Sequence, residues 1–171
     1  MPIKLRINED GIRVLERISF HLADLGEDSR RVARQKLSNL GIRIESAFRS
    51  RLRPHRYQGT LEGSVKSNVD ESGNTLTLEA GPTAKRGQYD AGALLELGTP
   101  PNPHVPWGAI NAWGSARGID SPGAVWNAIR TKGIKPHPFV ESTFSDVKDD
   151  IEKTAGEIGE GTARAVIDLS E

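Results

Sequence analysis

Cysteine is absent from the 171 residues, which excludes disulfide bonds and thiolate metal ligands. Aromatic residues make up 5% of the chain and apolar residues 36%, a low share for a globular domain. No stretch approaches the roughly 20 apolar residues of a membrane-spanning helix, and the polar first eleven residues are not expected to be a signal peptide. This low apolar content fits either a polar monomer or a subunit that buries further apolar area against neighbouring subunits.

Motifs that carry chemistry are also scarce. The sequence has no HExxH or GxSxG pattern, and its four histidines lie far apart. The glycines of 87–92 have the spacing of a phosphate loop, but the lysine and hydroxyl that should follow are missing. Asp149, Asp150 and Glu152 resemble an acidic metal cluster, although the solvent-facing side of an amphipathic helix is the better interpretation. We therefore expect no enzyme, no cofactor, no metal and no small-molecule substrate.

The zero net charge conceals a strong asymmetry along the chain. Residues 28–56 carry nine Lys or Arg against two acids, whereas residues 139–171 carry nine acids against three Lys or Arg. The basic segment could follow the phosphates of a nucleic acid, contact the acidic segment of the same or another subunit, or simply face solvent. Our candidate contact residues in these segments are Arg30, Arg34, Arg49, Asp149, Asp150 and Glu152.

Apolar spacing predicts the main helices of the chain. Residues 11–25 have apolar positions three and four apart, which predicts a helix that Gly26 ends. A longer pattern predicts a helix over 29–53, with Asp28 or Ser29 as its cap and Pro54 as its stop. Two further helices are expected, one at about 122–132 and one that begins at about Val140.

Period-two alternation predicts a β-hairpin over 64–80. Val65 and Val69 share one face of the first strand, Leu76 and Leu78 share one face of the second, and 71–74 form a turn. Residues 1–7 could add a short strand. The resulting fold class is α+β: a small antiparallel sheet packed with a long N-terminal helix and a C-terminal helix. We expect a single domain over 1–171.

A segment rich in proline and tryptophan interrupts this domain at about 100–134. The four prolines between Pro100 and Pro106 predict an extended loop that cannot join a sheet. The three tryptophans that follow could stack on bases or sugars, but a small satellite core under the loop is the favoured interpretation. Pro101 and Trp107 are contact candidates in this segment.

Three short motifs, in order, resemble phage tail-completion proteins. Residues 59–65 are similar to the segment that opens the family's hairpin, with its glycine and threonine inverted. Residues 89–99 resemble a Tyr-to-Gly-Thr motif, with stretched spacing and a leucine in place of an aromatic residue. Residues 133–140 resemble the Gly-x-x-Pro-x-Pro-Phe segment that leads into the family's last helix. The region that contains the motifs, 59–143, is about half the chain.

The resemblance implies a structural virion protein of lambdoid-type tailed phages, acting at the neck or tail end in tail completion and head–tail joining. It implies a ring of copies, assembled in the host cytoplasm, that contacts connector, tail-terminator or tail-tube proteins and passes genomic DNA. Alternatives are a tail-terminator protein, whose relatives form hexameric rings, and, from another class, a nucleic-acid-binding protein using helix 29–53. The motif residues expected to be structural are Leu95, Glu96, Gly98, Thr99, Pro138 and Phe139.

Overall fold

The computed structural model describes residues 16–21, 26–55, 60–86 and 89–168, so the possible strand at 1–7 lies outside it. The predicted α+β class is confirmed. The strands are β1 (Glu16–His21), β2 (Val65–Ser72), β3 (Thr75–Pro82), β4 (Lys85–Arg86) and β5 (Tyr89–Asp90). The helices are α1 (Glu27–Leu52), α2 (Thr60–Gly63), α3 (Ala91–Leu97), α4 (Trp107–Ala116), α5 (Pro122–Lys132) and α6 (Val140–Asp168).

The predicted hairpin is confirmed as β2 and β3, which pair antiparallel with Val69 opposite Leu78. Gly73 takes a φ of 56° in the turn, a conformation that glycine adopts without steric cost. Leu76, Leu78 and Ala80 of β3 are buried, whereas the alternate positions of the hairpin carry polar side chains. The hairpin therefore has one face against the core and one polar outer face.

The predicted helix over 11–25 is wrong where the structure describes it. Residues 16–21 form β1, which pairs antiparallel with β3 and makes a three-stranded sheet of order β1-β3-β2. Ile18 lies opposite Leu78 and Phe20 opposite Leu76. Ile18 follows Leu15 at the spacing of a helix but precedes Phe20 at the spacing of a strand, so pairing with β3, far away in sequence, decides the conformation. Residues 11–15 and 22–25 lie outside the described residues.

Helix α1 lies against both the sheet and α6, and its predicted apolar stripe is buried from Ala33 to Leu52. Gly41, where the sequence lowers helix propensity, lies directly against the sheet. A Cβ added there would crowd the side chains of Ser67 and Leu78. The predicted cap is wrong, because Gly26 occupies the N-cap position and no side chain caps the helix.

Helix α6 closes the other side of the core, as predicted. Phe48 of α1 meets Phe139 edge-on at a centroid distance of 6.0 Å and Phe144 at 6.3 Å. Such edge-to-face pairs are favourable beyond the area that they bury. The helix continues past Gly156 and Gly159 to Asp168.

Helices α4 and α5 pack on each other in the segment rich in proline and tryptophan. Helix α5 is confirmed with Pro122 in its first turn, but the side chain of Ser121 makes no capping hydrogen bond. Helix α4 was not predicted, because its sequence of small and uncharged residues shows no clear apolar period. Within the part of the chain that the structure describes, no helix is long and apolar enough to cross a membrane.

Candidate interaction surface

Residues 100–133, which we call the arm, leave and rejoin the rest of the domain at a single point. The backbone amide of Thr99 donates to the carbonyl of Ile134 at 2.9 Å, and the amide of Ile134 donates to the carbonyl of Thr99 at 3.0 Å. This two-bond antiparallel bridge is the base of the arm.

Two glycines make this bridge possible. Gly98 has a φ of 70° and Gly133 a φ of 78°, in the left-handed region that side chains disfavour. A Cβ at Gly98 would overlap the carbonyl of Ile134, and a Cβ at Gly133 would overlap the carbonyl of Thr99. Each glycine therefore lies directly against the backbone of the opposite segment, and the bridge depends on both.

Glu96 ties the same two segments together at the start of α6. Its carboxylate accepts hydrogen bonds from the backbone amides of Phe139 at 2.7 Å and Val140 at 3.2 Å. These amides have no partner within the helix, and a negative charge there also favours the helix dipole. The carbonyl of Leu95 accepts from the amide of His137 at 2.9 Å. The structural motif residues of the two segments thus form one unit, with Pro138 exposed and Phe139 buried.

Contacts among its aromatic side chains hold the arm together, but the predicted satellite core forms only in part, because Gly114 alone among the residues of α4 and α5 is buried. The indole of Trp126 donates to the carbonyl of Val105 at 2.9 Å, which fixes the proline loop to α5. The ring of Trp107 meets Trp126 edge-on at 5.8 Å, and the guanidinium of Arg130 lies 4.3 Å from the centre of the Trp126 ring. These contacts occupy the tryptophans within the arm.

Exposed apolar side chains nevertheless lie on the arm and next to its base. Trp107 is 46% exposed, and Leu97 and Ile134, on either side of the base, are 47% and 40% exposed. Pro101 is also exposed. Helix α4 has ten residues without a single charged side chain. Besides the bridge at its base, the arm contacts the main domain through Arg117, whose guanidinium donates to the carbonyl of Pro54 at 3.3 Å. An uncharged helix next to exposed apolar groups is typical of a protein contact site.

The basic segment is largely neutralised within the chain. Eight of its nine Lys or Arg lie within 4 Å of a carboxylate, and the ninth, Arg56, lies outside the described residues. On the side of the sheet, Arg30 and Arg34 both contact Glu71, and Arg49 contacts Glu45. The hydrogen bond and positive charge of Arg34, helped by Arg30, hold the pKa of Glu71 below its usual value.

On the other side of α1 the partners belong to α6. Lys36 contacts Glu157 at 2.5 Å, Arg43 contacts Asp150, and Arg51 contacts both oxygens of Asp146. The hydrogen bond from Lys36 lowers the pKa of Glu157. Of the acidic candidates, only Asp150 pairs with α1, since Glu152 lies 3.8 Å from Lys148 of its own helix. Asp149 is exposed to solvent.

A feature that the sequence reasoning missed is the outer side of α1. Val32 is 52% exposed and Ile42 is 63% exposed, on the face opposite the buried stripe. Gln35 and Asn39 lie between them and are joined by a hydrogen bond of 3.2 Å. A helical wheel drawn from the buried positions would have located these two apolar residues. We call Val32, Gln35, Asn39 and Ile42 the outer ridge.

Side chains of α1 also cover part of the edge of β2. The carboxylate of Glu45 accepts from the backbone amide of Ser67 at 2.8 Å and from its hydroxyl at 2.7 Å. Arg49 donates to the carbonyl of Val65 at 2.9 Å. Backbone groups at an open sheet edge attract other strands, so these contacts protect the edge against unwanted pairing. Arg49, a contact candidate from sequence, is engaged in this role.

The described residues contain no group of three or more His, Asp or Glu placed to hold a metal ion. No family model, curated protein or solved structure matches the chain.

Proposed function

We propose that this protein is a structural subunit of a tailed-phage virion, acting at the neck or tail end in tail completion and head–tail joining as part of a ring. The observation that carries the proposal is the unit at the base of the arm. The two motifs that resemble the family, 89–99 and 133–140, are joined by the Thr99–Ile134 bridge and by Glu96. Motifs that are weak separately thus belong to one structural element.

The arm supports an assembly role. It extends from the Thr99–Ile134 bridge, with a further hydrogen bond from Arg117 to the carbonyl of Pro54, and it carries exposed apolar groups such as Trp107. Such a segment contributes little to the main core, whose buried cluster consists of residues from α1, the sheet, Phe139 and α6 as far as Ile158. We therefore expect the arm to contact a neighbouring subunit.

The nucleic-acid alternative loses support from the ion pairs of α1. DNA binding by this helix would require phosphates to compete with carboxylates already in place, such as Glu71, Asp146 and Asp150. A residual contact between genome and channel would be weak and strongly dependent on salt. The tail-terminator alternative rests on the same surfaces as the main proposal and differs only in position on the virion.

The proposal is tested by deleting the gene from the phage genome that carries it and imaging the lysate by electron microscopy. We expect filled heads and tails that remain separate, and joined particles once the wild-type gene is supplied on a plasmid. Antibody labelling of the complemented virions should mark the neck, or the tail end for a terminator. Normal, infectious virions without the gene product would contradict the proposal. A filter-binding series with DNA from low to physiological salt tests the rival function independently.

A further inference from the structure

We infer that the arm of one copy docks on the outer ridge of α1 in a second copy. This inference rests on the proposed ring and names the surfaces that form it. The exposed large apolar residues among those described fall into two groups: Val32 and Ile42 on α1, and Leu97, Trp107 and Ile134 on the arm and its base. One chain therefore exposes large apolar side chains in two different parts of the fold.

The outer ridge is an uncharged strip on an otherwise charged helix. Its four residues follow a spacing of three and four on the side away from the core, and none is charged. The neighbouring cations point to the flanks, where Arg34 reaches Glu71 and Arg43 reaches Asp150. Ten residues separate Val32 from Ile42, which corresponds to about 15 Å along the helix.

The absence of charge on the outer ridge favours an uncharged helix as its partner. A second α1 would bring exposed ion pairs into the contact, such as that of Arg31, which is 80% exposed, with Asp28, which is 93% exposed. Removing such charged groups from water opposes association. An uncharged helix has no charge to desolvate. Among the described helices of eight or more residues, α4 alone has no Asp, Glu, Lys or Arg.

The dimensions of α4 also fit. Its ten residues span about 15 Å, the same length as the ridge from Val32 to Ile42. Trp107, half-exposed in its first turn, is of the residue type that most often anchors protein interfaces. Because the arm and the ridge are different surfaces, the contact is heterologous, and its repetition closes a ring or continues as an open chain.

The absence of cysteine makes the contact directly testable. Ile42→Cys and Ala112→Cys, both at exposed positions, are purified separately, mixed and treated with a short bismaleimide. Lys66→Cys on the polar outer face of the sheet replaces Ile42→Cys in the control mixture. We expect the first mixture to give crosslinked dimer roughly a hundredfold faster than the control, since docked residues experience millimolar effective concentrations. A variant with both cysteines should give a ladder of higher oligomers.

Each other outcome is decisive. Rapid crosslinking of Ala112→Cys or Ile42→Cys with itself would show a symmetric contact and overturn the inference. A rate equal to that of the control would do the same. Oligomers seen by light scattering without the 42–112 crosslink would refute this docking mode and leave the ring proposal standing. A protein that stays monomeric alone and with purified tails would count against the ring itself.

Discussion

The carboxylate of Glu96 and the backbone amide of Phe139 lie 43 positions apart in sequence and 2.7 Å apart in space. This hydrogen bond joins the end of α3 to the start of α6, and a second bond to Val140 strengthens it. Glu96 thus acts as a cap for a helix to which it does not belong.

The first prediction concerns this cap. Glu96→Ala should lower the free energy of unfolding by about 0.5–2 kcal/mol, as loss of an N-terminal cap typically does. Glu96→Gln keeps an oxygen acceptor but loses the negative charge, so its effect should be smaller. Urea unfolding followed by circular dichroism measures both. Glu141→Ala, at an exposed position in the first turn of α6, is the matched control. Equal stability of Glu96→Ala and wild type would contradict the capping role.

The second prediction concerns the aromatic core. Phe139 is 4% exposed and packs edge-on against Phe48. Phe139→Ala should therefore cost about 3–5 kcal/mol of unfolding free energy through lost burial and a residual cavity. Thermal and urea denaturation give the value, with the exposed substitution Val32→Ala as the control. A cost below that of the control would refute the placement of this ring.

The third prediction concerns the base of the arm. Gly98→Ala and Gly133→Ala should each destabilise the protein, because each adds both a strained φ and an overlap with backbone. Gly118→Ala separates these effects, since Gly118 has a φ of 65° but open space around it. Gly118→Ala should lower the free energy of unfolding by the backbone strain alone, about 1–2 kcal/mol. Gly98→Ala and Gly133→Ala should lower it clearly more. Equal losses in urea unfolding would show that the backbone contact contributes nothing.

The fourth prediction concerns pH. Arg34 and Arg30 lower the pKa of Glu71 in the folded protein, so the ionised form stabilises the fold. This contribution is present above the pKa of Glu71 in the unfolded chain, near 4.5, and is lost as pH falls through the lower folded value. Glu71→Gln should therefore lower the melting temperature at pH 7 and have less effect at pH 3. Arg34→Gln should behave alike, and the double variant should lose less than the sum. Strict additivity would show that the two side chains act independently.

Most of the core could be predicted from sequence because its signals are local. The stripe from Ala33 to Leu52 has helical spacing, and the alternation around the turn at 71–74 defines one hairpin. The Gly-Pro-Phe segment before α6 correctly marks Phe139 as buried. Each pattern arises because one face of a helix or strand packs against the core. The spacing of the apolar residues along the sequence therefore reveals the type of element.

Elements whose conformation depends on distant partners could not be predicted in this way. The sequence pattern around residues 16–21 favours a helix, but pairing with β3 holds these residues in a strand. The charge asymmetry was evident, but the partners of the arginines were not: Arg30 and Arg34 use Glu71 of the hairpin rather than the acidic helix. Ion pairs depend on which side chains the packed helices and strands bring within reach, and sequence separation carries no such information.

The sequence by itself determined the absence of thiol chemistry, the opposed charges of the two segments and the helices and hairpin that form the core. Only the tertiary structure decided that α1 neutralises its own cations and exposes Val32 and Ile42 on its outer side. It alone shows that Gly98 and Gly133 face each other's segments across the base of the arm. The physical reason is that periodicity is fixed by the backbone of each element, whereas contact, exposure and pairing are fixed by how separate elements pack.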